Sequence, residues 1–162
     1  MKKVAVILSG CGFKDGTEIT EAVSSLIALS ELGVSYKVFA PVKDFQSTNH
    51  VNGSAGETRN TLVESTRIAR QDVKDLKELH SKDFDALVMP GGFGAALHLS
   101  SWAREGAKCS VDKNVERVIN EFFQENKPIA AICIAPAVVA RVLGEKGITL
   151  TIGNDKDTAA EI

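Results

Sequence analysis

The sequence predicts an α/β fold built on a mainly parallel sheet, and three observations predict it. Short apolar runs bounded by breakers, over residues 4–8, 84–89 and 129–132, suit strands that are covered on both faces. Between them lie stretches with apolar residues at helical spacing, so strands and helices alternate along the chain. A strand, a crossover helix and a second strand fit within residues 4–40, the length of one parallel unit. The pattern is that of a flavodoxin-like three-layer sandwich.

Each element has its own signal. Residues 1–9 carry the charge and apolar run of a signal peptide, but Ser9-Gly10-Cys11-Gly12 ends the run too early, and a buried first strand is the better reading. A turn-rich link over 10–16 follows. Asp15 with Glu18 resembles a capping box, and Ile19, Ala22, Val23, Leu26 and Ile27 recur at helical spacing until Gly33 ends the helix. A strand over 34–40 is stopped by Pro41. Residues 42–56 turn polar and read as a surface excursion, and 57–70 as a short amphipathic helix whose Arg59, Arg67 and Arg70 face solvent or a subunit. The strand over 84–89 runs into Pro90-Gly91-Gly92-Phe93-Gly94, with a helix starting over 94–99. A clearer helix spans 111–126, with Val115, Val118, Ile119, Phe122 and Phe123 on one face. The strand over 129–132 meets Cys133 directly, and a helix runs from Pro136 to about Leu143, because proline fits a first helical turn. A fifth strand is expected over 148–152 and the start of a helix over 158–162. No repeat or linker interrupts the pattern, so residues 1–162 count as one domain.

Composition excludes several classes. The formal net charge of -2 and pI near 5.9 leave no basic footprint, so nucleic acid is not an expected partner. No stretch approaches the roughly 18 apolar residues of a membrane span, so no membrane is expected. The three cysteines, Cys11, Cys109 and Cys133, are odd in number and widely spaced, which argues for a reducing compartment, with the cytoplasm as the expectation.

Sites in open parallel sheets form beyond the carboxyl ends of the strands. Three loops there carry distinctive residues: Ser9-Gly10-Cys11-Gly12, Pro90-Gly91-Gly92, and Cys133-Ile134-Ala135-Pro136. Cys133, at a strand-to-helix turn facing a helix N-terminus, is the candidate nucleophile, in a setting expected to favour thiolate. Glu18 and Glu21, one turn apart on the first helix, are rival carboxylate partners for its proton. Gly91 and Gly92 with the N–H of Ile134 are candidates for an oxyanion hole. Cys11 is either buried filler or a second thiol beside the pocket. His50, His80 and His98 match no metal spacing and none neighbours Cys133, although His98 follows the glycine turn and lies within range of the pocket in the chain order.

Together Val6-Ile7-Leu8-Ser9-Gly10-Cys11-Gly12, Asp15-Gly16-Thr17-Glu18-Ile19 with Glu21, Glu57-Thr58-Arg59-Asn60, Pro90-Gly91-Gly92-Phe93-Gly94-Ala95-Ala96, Cys133-Ile134-Ala135-Pro136 and Thr151-Ile152-Gly153 resemble the ElbB family. Its members are isoprenoid-biosynthesis or lycopene-enhancing proteins with an amidotransferase-like domain, within the PfpI and class I glutamine-amidotransferase-like superfamily. The resemblance implies a single class I glutamine-amidotransferase-like domain over 1–162 that lacks the family's C-terminal segment. It places Cys133 as nucleophile and Gly92 with Ile134 as oxyanion donors. Counting back from Gly33, the superfamily's helix glutamate is Glu21, with Glu18 as a rival. It further implies a cofactor-independent glyoxalase acting on a small carbonyl substrate, without metal, in a homodimer. Proteases of the superfamily place histidine directly after the cysteine, where this chain has Ile134, and amidotransferases use a later His-x-Glu. Those activities are disfavoured, which leaves a redox-responsive or partner-binding protein as the main alternative and an amidotransferase subunit as a weaker one.

Overall fold

A computed structural model describes residues 1–70 and 72–162 of the chain. Its elements are β1 (Lys3–Ile7), α1 (Ile19–Glu31), β2 (Ser35–Ala40), β3 (Asp44–Thr48), β4 (Ala55–Asn60), α2 (Thr61–Ala69), β5 (Lys74–Asp75), β6 (Ala86–Met89), α3 (Trp102–Glu105), α4 (Lys113–Gln124), β7 (Ile129–Ala131), α5 (Ala135–Leu143) and α6 (Lys156–Glu161). The main sheet has five strands in the order β5-β2-β1-β6-β7, all paired in parallel. This is the α/β sandwich that the alternating pattern predicts.

The sheet divides the core in two, and β1 shows why. Successive side chains of a strand point to opposite faces. Val4, Val6 and Leu8 therefore pack with Ala22, Leu26, Val38 and Ile68 under α1 and α2. Ala5 and Ile7 pack with Leu87, Met89, Val118 and Phe122 under α4 and α5. A strand buried on both faces cannot alternate apolar with polar, hence the continuous run at 4–8. In α4 the buried residues Val115, Val118, Ile119 and Phe122 form one stripe. Asp112 caps that helix, its carboxylate accepting from the N–H groups of Asn114 and Val115 at 2.8 and 3.3 Å.

Four expectations change. Residues 42–60 form an antiparallel ribbon of β3 and β4 outside the main sheet, so 57–60 are strand and α2 begins only at Thr61. An exposed ribbon has no apolar face to reveal it; Asn60 to Asp44 at 2.7 Å and Ser47 to the Glu57 carbonyl at 2.7 Å help hold it. Arg59 and Arg67 are not simply solvated, because both bond the carboxylate of Glu64, which is 4% exposed. The fifth strand is β5 beside β2 and not 148–152, where the only pairing among the described residues is an isolated bridge between Ile152 and Asn154. Finally Glu18, not Asp15, caps α1: its Oε2 accepts from the N–H of Glu21 at 2.7 Å, while Asp15 turns to the ribbon and accepts from the N–H of Thr48 at 2.5 Å. Among the described residues no helix is long and apolar enough to cross a membrane.

Candidate functional site

The site begins with a backbone constraint. Cys133 has φ +59, a left-handed conformation that L-residues reach only with strain, so its side chain is lifted out of the line of β7 at the end of the strand. The turn is closed on both sides. Ile132 N–H donates to the Met89 carbonyl at 3.0 Å, and Ala135 N–H donates to the Ile132 carbonyl at 3.0 Å. Pro136 then sits in the first turn of α5, where its missing donor is not needed.

Backbone bonds bring the other two loops to this turn. Glu18 N–H donates to the Gly91 carbonyl at 3.0 Å, Gly94 N–H to the Gly16 carbonyl at 2.8 Å, and Phe93 N–H to the Phe13 carbonyl at 2.7 Å. The approach is close enough to require glycine. A Cβ on Gly91 would lie 2.6 Å from the Cβ of Cys133, and one on Gly94 would lie 2.5 Å from the Gly16 carbonyl carbon.

At the centre the Cys133 thiol has the Glu21 carboxylate and the N–H groups of Gly92 and Ile134 as the neighbours that act on its proton. Burial of the sulfur raises the thiol's pKa first of all, Glu21 raises it further, and the two N–H groups pull the other way without reversing the shift. Against the stabilised thiolate expected from the helix N-terminus, the thiol's pKa is raised, first by burial of the sulfur and then by the Glu21 carboxylate. Cys133 as a whole residue is exposed and lines an open cleft. Glu21 Oε2 also accepts from the N–H of Gly91 at 2.8 Å. The N–H of Gly91, expected beside Gly92 and Ile134 as an oxyanion donor, is thus taken up by the carboxylate.

Glu18 does not contact the thiol in this way. It holds Glu21 through its cap and lines the open cleft of about 830 Å³ in which Cys133 lies. Cys11 does not line that cleft. It packs against the core beneath α1 and α2, where burial and the Glu64 carboxylate raise its pKa. Cys109 is buried, and its carbonyl accepts from Arg141 Nε at 2.7 Å. None of the three histidines lines the cleft. His98 is buried and donates from Nε2 to the Asp15 carbonyl at 2.7 Å, so it braces a loop; burial lowers its pKa. Among the described residues no group of three or more His, Cys, Asp and Glu is placed to hold a metal ion. Sequence reasoning missed the cleft's aromatic walls, Phe13, Phe93 and Trp102. Their one signal is that Phe93 stands between glycines, in no strand or helix period that would bury it.

Comparison with known proteins follows the same lines. The model of the DJ-1/PfpI family matches residues 2–157. The human glutamine amidotransferase-like class 1 domain-containing protein 3, mitochondrial, is 48% identical over 158 residues, 96% of this chain and 58% of that protein. The rat ES1 protein homolog, mitochondrial, is 46% identical over 158 residues, 96% of this chain and 59% of that protein. The crystal structure of an isoprenoid biosynthesis protein with amidotransferase-like domain from Ehrlichia chaffeensis has a TM-score of 0.83 at 42% identity, covering 88% of this chain and 69% of that one. The chain thus spans less than two thirds of the length of the curated relatives it matches. Their names also overturn the cytoplasmic expectation, since both relatives are mitochondrial. A low cysteine count separates reducing from oxidising compartments and does not tell one reducing compartment from another.

Proposed function

This chain belongs to the DJ-1/PfpI family, and from that premise we propose that it is a cofactor-independent glyoxalase-like enzyme, converting glyoxal or methylglyoxal to a hydroxy acid through Cys133. Within the family we propose kinship with the ElbB proteins; the Ehrlichia relative is named an isoprenoid biosynthesis protein with amidotransferase-like domain. The observation that carries the reading is the meeting of the Cys133 thiol with Glu21 beside two converging N–H groups, with no histidine in the cleft.

A thiol kept protonated needs a base at the moment of attack, and Glu21 is in place to be one. As the sulfur bonds to the aldehyde carbon, the thiol proton passes through Glu21 to the aldehyde oxygen and a hemithioacetal forms. The N–H groups of Gly92 and Ile134 stabilise the charge on that oxygen. Glu21 next removes the hydrogen on the bound carbon while the neighbouring carbonyl oxygen is protonated, giving an enediol. Reprotonation of the second carbon and loss of the first hydroxyl's proton leave a thioester. Water cleaves the sulfur–carbon bond, releasing the hydroxy acid and restoring the thiol. Glu18 acts here as a positioning residue through its bond to the N–H of Glu21.

The test is glyoxal turnover by the purified protein beside Cys133→Ala, Glu21→Gln and Glu18→Gln. Expected are loss of turnover in the first two and a smaller loss in Glu18→Gln, whose amide oxygen still caps the helix. Equal rates in wild type and Cys133→Ala would end the proposal. Ammonia released from glutamine would favour an amidotransferase instead. A stable sulfenate or sulfinate after mild peroxide, with no turnover of glyoxal, would favour a redox sensor instead.

The partner we propose is a second copy of the chain. Ile19, Val23 and Ile27 are 46%, 36% and 52% exposed and lie at spacings of four on the outer face of α1, an apolar stripe that one copy leaves in water. Sedimentation is expected to give a dimer that Val23→Glu dissociates; a monomeric wild type would contradict it.

A further inference from the structure

The cleft is far larger than the dicarbonyls named above. Its volume of roughly 830 Å³ lies in the range of clefts that take drug-sized ligands, and glyoxal fills only a small part of it. The space is also lined for something apolar. Phe13 and Phe93 are 49% and 52% exposed, are joined by the Phe93 N–H to Phe13 carbonyl bond of 2.7 Å, and face the cleft together with Trp102. Large aromatics left half in water around a nucleophile are the kind of wall that a ligand's apolar body covers. The charges around the opening have one dominant sign, with Glu18, Asp155, Asp157 and Glu161 against Arg104 alone. Such a rim disfavours a carboxylate or phosphate on the substrate, since like charges brought together in a half-dry cleft repel.

Resting on the carbonyl chemistry at Cys133, we infer that the cleft selects neutral α-oxoaldehydes with an aromatic or similarly bulky apolar body, and that Phe93 and Trp102 set this preference. The aldehyde end reaches the sulfur between the N–H groups of Gly92 and Ile134. The body lies outward against the aromatic walls, where glyoxal has nothing to place.

The experiment compares initial rates of the purified chain on glyoxal, phenylglyoxal and 4-carboxyphenylglyoxal. Phenylglyoxal is expected to have a kcat/KM about tenfold or more above that of glyoxal, from burial of the ring. Phe93→Ala and Trp102→Ala are expected to lower the phenylglyoxal-to-glyoxal ratio by about fivefold or more, chiefly through KM. The carboxylated substrate is expected to fall below phenylglyoxal, with the gap narrowing as salt screens the rim. Glyoxal turned over as well as phenylglyoxal, or a ratio unmoved in both variants, overturns the inference and leaves the carbonyl chemistry standing. A second readout separates the two ideas if no dicarbonyl is turned over. Trp102 is the sole tryptophan, so saturable quenching of its fluorescence by unreactive acetophenone, and not by benzoate, upholds the preference without the chemistry. No quenching by either removes it.

Discussion

Glu21→Gln is expected to lower glyoxal turnover by about 10²–10⁴-fold, the range for losing a positioned acid or base, and at the same time to make Cys133 easier to alkylate at neutral pH. The two effects run in opposite directions for one reason. The Glu21 carboxylate raises the thiol's pKa by its charge and its hydrogen bond, whereas Gly92 and Ile134 lower it through their N–H groups. Burial of the sulfur, the first cause of the raised pKa, stays in the variant, but an uncharged amide removes the carboxylate's share and leaves the two N–H groups, so the folded thiol gives up its proton at lower pH than in wild type. Since the thiolate is the nucleophile, the rate of reaction with iodoacetamide in wild type should climb with pH through a midpoint above that of an ordinary cysteine. In the variant that midpoint should move down. Glutamine still offers an oxygen to the N–H of Gly91, which Glu21 accepts at 2.8 Å, so the turn is kept. If alkylation and turnover fell together, Glu21 would be only a structural support.

Gly92→Ala should be the most damaging single methyl in the loops of the site. Gly92 has φ +88, and an added Cβ would lie 2.4 Å from the Glu18 nitrogen and 2.5 Å from the Gly16 carbonyl oxygen. Both neighbours are backbone, so no rotamer change relieves the contact. A loss on the order of 3 kcal/mol is expected, from left-handed strain and a forced separation of the two loops. Gly33→Ala is the comparison. Gly33 also has positive φ, +65, but nothing lies within 4 Å of the added atom, so only the conformational cost of about 1 kcal/mol should appear. Urea midpoints measured on both variants check this. Equal losses would mean that the loops do not press on Gly92 as described.

These contacts mark the limit of what could be read from residue order. The central strands were legible because burial on both faces writes an unbroken apolar run, as at 4–8, and α4 was legible because one buried face writes Val115, Val118, Ile119 and Phe122 at helical spacing. The ribbon of β3 and β4 was not. Its strands are held by backbone pairing and polar side chains with little apolar burial, so their composition is that of a loop. β5 failed for a different reason, since Lys74–Asp75 become a strand only because β2 lies beside them. The stretch 148–152 has the composition of a strand and no neighbour among the described residues to pair with beyond one bridge.

The same division runs through the site. A thiol at a strand-to-helix turn, a glycine pair after another strand and two glutamates at the start of a helix are local patterns, and the sequence by itself determined them. It could not choose between Glu18 and Glu21, because residues one turn apart on a helix differ in direction only against a fixed neighbour. Packing made that choice: the loop bonds from Glu18 to Gly91 and from Gly94 to Gly16 set the start of α1 against the turn at Cys133, with Glu21 inward and Glu18 on the cleft. Tertiary structure also gave Gly91 to the carboxylate, took Cys11 away from the cleft and raised the pKa of the Cys133 thiol. Proton affinity depends on burial and on charges that meet only in the fold, and neither is written in the order of residues.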